Sequence, residues 1–142
     1  MINLYIKERQ VGDVTVLDLK GRVRVGGATV ALHRSFRTLV QEEKLLILLN
    51  LAGVTHIDSS GLGELVSSHV TVFNKGGEIK LVQLTETLHD LMSATKLLTI
   101  FNVYQNEAEA LLSFENHVPR AKESSSFLSK AERESAALGI IR

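Results

Sequence analysis

The sequence contains no cysteine, which excludes a disulfide scaffold and thiol chemistry and is compatible with a reducing cytosol. It has no net charge: 16 acidic residues balance 16 basic ones, so no strong field draws the chain to nucleic acid or to an anionic membrane. It has no long apolar run either. The longest, Leu45 to Leu49, falls far short of the roughly 20 residues that a membrane-spanning helix needs. The opening stretch, Met1 to Arg9, alternates apolar and charged residues and lacks the basic region and apolar core of a signal peptide. The expectation is a soluble, cytoplasmic protein with neither nucleic acid nor membrane as a partner. Its 142 residues suit one domain, long enough to bury a core without disulfides or metal.

What is present is a regular alternation of strand and helix patterns. Ile2 to Arg9 and Val14 to Lys20 read as strands, with Gly12-Asp13 as a two-residue hairpin turn between them. Gly21 is expected to end the second strand, leaving Arg22 to Gly27 as a loop. From Ala28 to about Glu42, the residues Ala28, Leu32, Phe36, Leu39 and Val40 recur at helical spacing. Leu45 to Leu51 lacks polar alternation until Asn50, the pattern of a central strand covered on both faces. Ala52 to Ile57 reads as a loop. A second helix, Ser60 to Asn74, is expected to bury Leu62, Leu65, Val66, Val70 and Phe73 and to stop at Lys75-Gly76-Gly77.

Beyond it, Glu78 to Leu84 reads as a strand and Thr85 as the cap of a helix over Glu86 to Lys96. Ile100 to Tyr104 reads as a last strand, and Asn106 to Phe114 as a helix. Strands alternating with helices imply parallel pairing through right-handed crossovers. The predicted class is therefore α/β, with a mixed sheet opened by an antiparallel N-terminal hairpin. After Glu115 the composition changes. Asn116 to Pro119 holds the only proline and Lys122 to Ser126 is polar, so residues 116–142 read as a linker and a short helix. In that helix Ser129 and Glu132 fit a capping box, and Leu128, Ala131, Ser135 and Leu138 line one face. Such a helix would dock on its own domain or on a neighbouring copy, and the second arrangement gives a homodimer.

One turn stands out. Asp58-Ser59-Ser60-Gly61-Leu62-Gly63 joins the most apolar strand to a helix, where free N–H groups and the macrodipole favour an anion. Asp58 and the serines are also ordinary N-cap residues. Enzyme readings fail on spacing. A nucleophile elbow needs a glycine two residues before the serine, where Ile57 or Asp58 stands. A dinucleotide fingerprint needs a third glycine at Val66. His56 is too close along an extended segment to serve Ser59 as a base. His33 and His69 have no neighbours at metal-ligand spacing, so no metal site is expected.

The run Val54 to Gly63, after Leu46 to Leu51, resembles the signature of STAS domains, and within them of bacterial anti-sigma factor antagonists. The resemblance covers about residues 2 to 114 and implies a STAS domain over residues 1–115. It further implies a protein that is not an enzyme and holds no cofactor, and that captures a kinase-type anti-sigma factor while unphosphorylated. In that family the serine directly after the aspartate is the phosphorylated one, here Ser59, and a metal-dependent serine phosphatase restores it. The nucleotide and its magnesium belong to the kinase.

Many such antagonists carry an acidic residue shortly after the glycine matching Gly21, where this chain has Arg22 and Arg24. Both loops should lie at one end of the sheet, after neighbouring parallel strands. The expected partner-binding set is thus Asp58, Ser59, Ser60, Gly61, Leu62, Gly63 and Arg24. The alternative is a STAS scaffold or ligand-sensing module without sigma-factor control.

Overall fold

The computed structural model describes residues 4–117. The expected tail helix, with Leu128, Ala131 and Leu138, lies outside them.

Two strands, β1 (Leu4–Val11) and β2 (Val14–Val23), form the antiparallel hairpin. They are followed by α1 (Gly27–Gln41), β3 (Leu46–Ile57), α2 (Ser59–Asn74) and β4 (Glu78–Val82). The fold closes with α3 (Glu86–Ala94), β5 (Val103–Tyr104) and α4 (Glu107–Ser113). The strands lie side by side in chain order, and every pairing after the first is parallel. Among the described residues no helix is long and apolar enough to cross a membrane.

The pleat of β3 divides the core. Ile47, Leu49 and Leu51 face α1, α2 and α3, where they pack with Leu32, Phe36, Leu39, Leu65, Leu88 and Met92. Leu48 points the other way, onto a smaller cluster of Val14, Val16, Val82, Ala110 and Phe114 beneath α4. The unbroken apolar run follows from this two-sided cover. Buried Lys80 steadies the end of α4. Its Nζ donates to the Ser113 hydroxyl and carbonyl at 2.8 and 3.2 Å and sits 4.6 Å from the centre of the Phe114 ring. A cation is favoured there by the carbonyl end of the helix and by the ring face.

Three expectations are corrected. The first concerns β2 and β3, which run past their expected ends at Gly21 and Leu51. Lys20 pairs with Gly53, Gly21 with Val54, Arg22 with His56 and Val23 with Ile57, across two register shifts. The stretches read as loops, Arg22-Val23 and Ala52 to Ile57, are therefore paired strand. Gly21 has φ of 117°, and a Cβ on Gly53 would lie 2.9 Å from the Leu19 carbonyl oxygen, so these glycines admit the bulges rather than stop the strands.

The second concerns the buried stripe of α2, which runs through Gly61, Leu62, Leu65, Ser68 and Val72, while Val70 and Phe73 remain 49% and 44% exposed. The segment is apolar on several sides, and packing against α1 chooses the phase. Ser68 can be buried because its hydroxyl donates to Glu64 at 2.8 Å.

The third lies near the C-terminal end. Only Val103 and Tyr104 pair as β5: Leu97–Thr99 is a 3₁₀ turn entered through Lys96 in the left-handed region, and Ile100, which closes it, keeps a helical backbone. Asn116 and His117, set by composition in the linker, belong to the folded unit. Phe114–Asn116 is a 3₁₀ turn, and the His117 ring bonds Glu78 and, at 3.0 Å, the Gly76 carbonyl.

Candidate functional site

The extension of β2 and β3 carries their two following loops to the same end of the sheet. There Asp58 joins them, with each of its polar groups engaged. Its N–H donates to the Val23 carbonyl at 3.1 Å, and its carbonyl accepts the first helical bond, from Leu62, at 2.9 Å. One carboxylate oxygen caps α2 by accepting the Gly61 N–H at 2.9 Å. The other accepts the Val25 N–H at 2.9 Å, which fixes the β2–α1 loop against the start of α2. These two N–H bonds, foremost that from Val25, hold the Asp58 carboxyl below the usual aspartate range, and the Arg24 charge adds to the effect.

Ser59 and Ser60 open α2 and are exposed. Of the N–H groups that open α2, the Asp58 carboxylate takes that of Gly61.

The two glycines of the turn differ. A Cβ on Gly61 would lie 2.6 Å from the Val23 carbonyl oxygen and 2.7 Å from an Ile57 side-chain carbon. Gly61 therefore serves close packing of α2 on the strand ends. Around Gly63 there is nothing within 4 Å, and it is exposed. Leu62 is buried in the core. Of the residues expected at a partner surface, Ser59, Ser60, Gly63 and Arg24 are exposed, Asp58 is half-buried, and Gly61 and Leu62 face inward. Their inward direction follows from the stripe that seats α2.

Arg22 and His56 sit opposite each other on β2 and β3, both exposed. The His56 ring lies 3.1 Å from the Thr55 hydroxyl rather than on Ser59. Sequence reasoning missed Glu64, which lies one turn beyond Ser60. Its carboxylate bridges the helices, 3.1 Å from His33 Nδ1 and accepting from Ser68. The i, i+4 spacing of Glu64 and Ser68 was the available signal. Below this bridge a groove of about 470 Å³ runs between α1 and α2, bordered by Phe36, Arg37, Thr71 and Lys75. Among the described residues no cluster of three or more histidine and carboxylate side chains could hold a metal ion.

Comparison with known proteins follows the same lines. The STAS domain family matches residues 5–110. The anti-sigma F factor antagonist of Paenibacillus polymyxa is 25% identical over 114 residues, covering 80% of this chain and 97% of that one. Among solved structures, an assigned anti-sigma factor antagonist of Thermotoga maritima superposes with a TM-score of 0.72 at 23% identity, over 78% of this chain and 95% of the other. The phosphorylated form of the Bacillus cell fate determinant SpoIIAA gives 0.62 at 18% identity, over 75% and 96%.

Proposed function

The chain belongs to the STAS domain family, and from that premise we propose that it is an anti-sigma factor antagonist that works by partner switching. Unphosphorylated, it binds a kinase-type anti-sigma factor and frees a sigma factor. Phosphorylation of Ser59 breaks that complex, and a metal-dependent serine phosphatase restores the hydroxyl. In this scheme the chain is a binding module and no enzyme, and it works in the cytoplasm. The name of the Paenibacillus relative and the solved phosphorylated form of SpoIIAA support the reading.

The observation that carries it is an exposed serine one residue past an aspartate whose N–H, carbonyl and carboxylate are all engaged. The serine lies on the outside of the fold, next to a residue that these bonds hold. A phosphate there adds a charge of about −1.5 to −2 and three acceptor oxygens. On an exposed terminus, water and salt screen its repulsion from Asp58, so the fold is kept. In an interface the same group must shed water and stand beside a carboxylate, so the complex is lost. Fold and binding respond differently, as a reversible switch requires.

The test begins with recovery from the native cell. Unphosphorylated protein used as bait is expected to retain a histidine-kinase-like ATPase, identified by mass spectrometry. With that kinase and ATP, phosphate is expected on Ser59. Ser59→Ala folds, binds and resists release; Ser59→Asp folds and binds weakly; Ser60→Ala is still phosphorylated. Phosphate on Ser60, or none with a kinase shown to be active, overturns the assignment.

One observation favours the second reading, a STAS scaffold or sensor outside sigma-factor control. Exposed Arg24, whose charge acts on Asp58, lies in the stretch after Gly21 where many resembling antagonists carry an acidic residue. A bait that repeatedly retains another protein class and no such ATPase selects it.

A further inference from the structure

On the face of the sheet away from α1 and α2, a groove of about 610 Å³ lies between α4 and the hairpin turn, lined by Val11, Val14, Leu46, Leu111, Leu112 and Phe114. Its walls are apolar, with Leu112 60% and Val11 39% exposed. The described residues end a short way beyond this groove, at His117, which lines an adjoining hollow with Lys75 and Gly76. Glu115 borders the groove, and two residues later the His117 ring is tied to Glu78 and to the Gly76 carbonyl.

We propose that the C-terminal segment of the same chain, residues 127–141, covers this groove. The stretch carries Phe127, Leu128, Ala131 and Leu138 on one helical face. Residues 118–126 form a polar, proline-containing connection that reaches about 30 Å when extended. The α4 helix beside the groove is only about 10 Å long, so the connection is ample. Tethering decides between this segment and a second copy. A tether of nine residues holds its end at an effective concentration of the order of millimolar, well above that of a second molecule in solution. A weak apolar contact therefore closes within the chain first. The groove lies at the N-terminal ends of β2 and β3, and Ser59 follows the C-terminal end of β3, so the covered groove leaves the site at Asp58–Gly63 open.

The absence of cysteine makes the test clean. Leu112→Cys is combined in the full chain with Leu128→Cys, Ala131→Cys or Leu138→Cys, and disulfide formation is followed at micromolar protein. A disulfide needs β-carbons about 3.5–4.5 Å apart, so its rate reports contact. The control places the first cysteine at exposed Lys75, next to the Gly76 that anchors His117 and so nearer the tail's exit. A docked tail is expected to give, for at least one pair, an intrachain bond roughly tenfold faster at position 112 than at 75, independent of protein concentration. A smaller ratio for all three pairs, or an interchain bond as the main product, overturns the proposal; the second result assigns the groove to another copy.

Discussion

At the scale of single residues, Gly61 and Gly63 make opposite predictions from the same amino acid. Gly61→Ala forces a methyl group against the Val23 carbonyl oxygen and the Ile57 side chain. Overpacking of this kind costs about 1–3 kcal/mol, so the urea midpoint of unfolding should fall. Gly63→Ala meets open space inside a helix, where alanine is favoured over glycine by about 0.5–1 kcal/mol. That variant should be slightly more stable, yet its added methyl stands on the exposed surface beside Ser59 and should weaken capture of the partner. A calorimetric comparison of unfolding and binding for the two variants checks the inversion. The cap at Asp58 and the exposure of Ser59 were legible in the sequence, because cap chemistry is local. The difference between the glycines was not. It depends on Val23, which is distant in sequence and arrives only when β2 pairs with β3.

At the scale of elements, long-range pairing overrode local punctuation. Gly21 looks like a strand end and Gly53 like part of a loop, yet inside bulges they let β2 and β3 run on to Val23 and Ile57. The order of elements, the hairpin and the parallel sheet were all readable from periodicity, although packing rather than pattern set which face of α2 is buried. The charged clamp between the hairpin and α4 was invisible. Arg9 Nε donates to Asp18 at 2.6 Å and Arg9 Nη2 donates to Glu107 at 2.8 Å, across 98 positions for the second bond.

The bond from Arg9 is the largest cause that holds the Asp18 carboxyl below its ordinary value, with a further bond from Asn50. Such a depressed group adds stability that is fully present above the unfolded value, near pH 4, and is lost as pH falls through the lower folded value. Arg9→Ala should therefore cost about 1–2 kcal/mol at pH 7, between an exposed and a buried ion pair. The gap from wild type should narrow below pH 4, as the carboxylates protonate in both proteins. Urea titrations at pH 7 and pH 3 measure it, and a gap that stays constant would assign the loss to packing of the Arg9 stem.

At the scale of the whole molecule, the folded unit ends later than composition suggests. Truncation after His117 should leave the domain folded by circular dichroism. Truncation after Glu115 removes the buried ring that ties Glu78 to the Gly76 turn, and should cost about 1–3 kcal/mol through the partners left behind. If the chain ending at His117 is unfolded, the remaining 25 residues are core and the boundary moves outward.

The site itself is a product of this global fold. Val25 and Asp58, 33 positions apart, meet only when β2 and β3 are paired. On the partner-switching reading, an enzyme that acts on Ser59 therefore recognises a shape rather than a linear motif. A synthetic peptide spanning residues 54–63 should be a poor substrate, and nascent or damaged chains should escape both capture and modification. The number of molecules that enter the circuit is then the number correctly folded, and the protein audits its own quality before it transmits a signal.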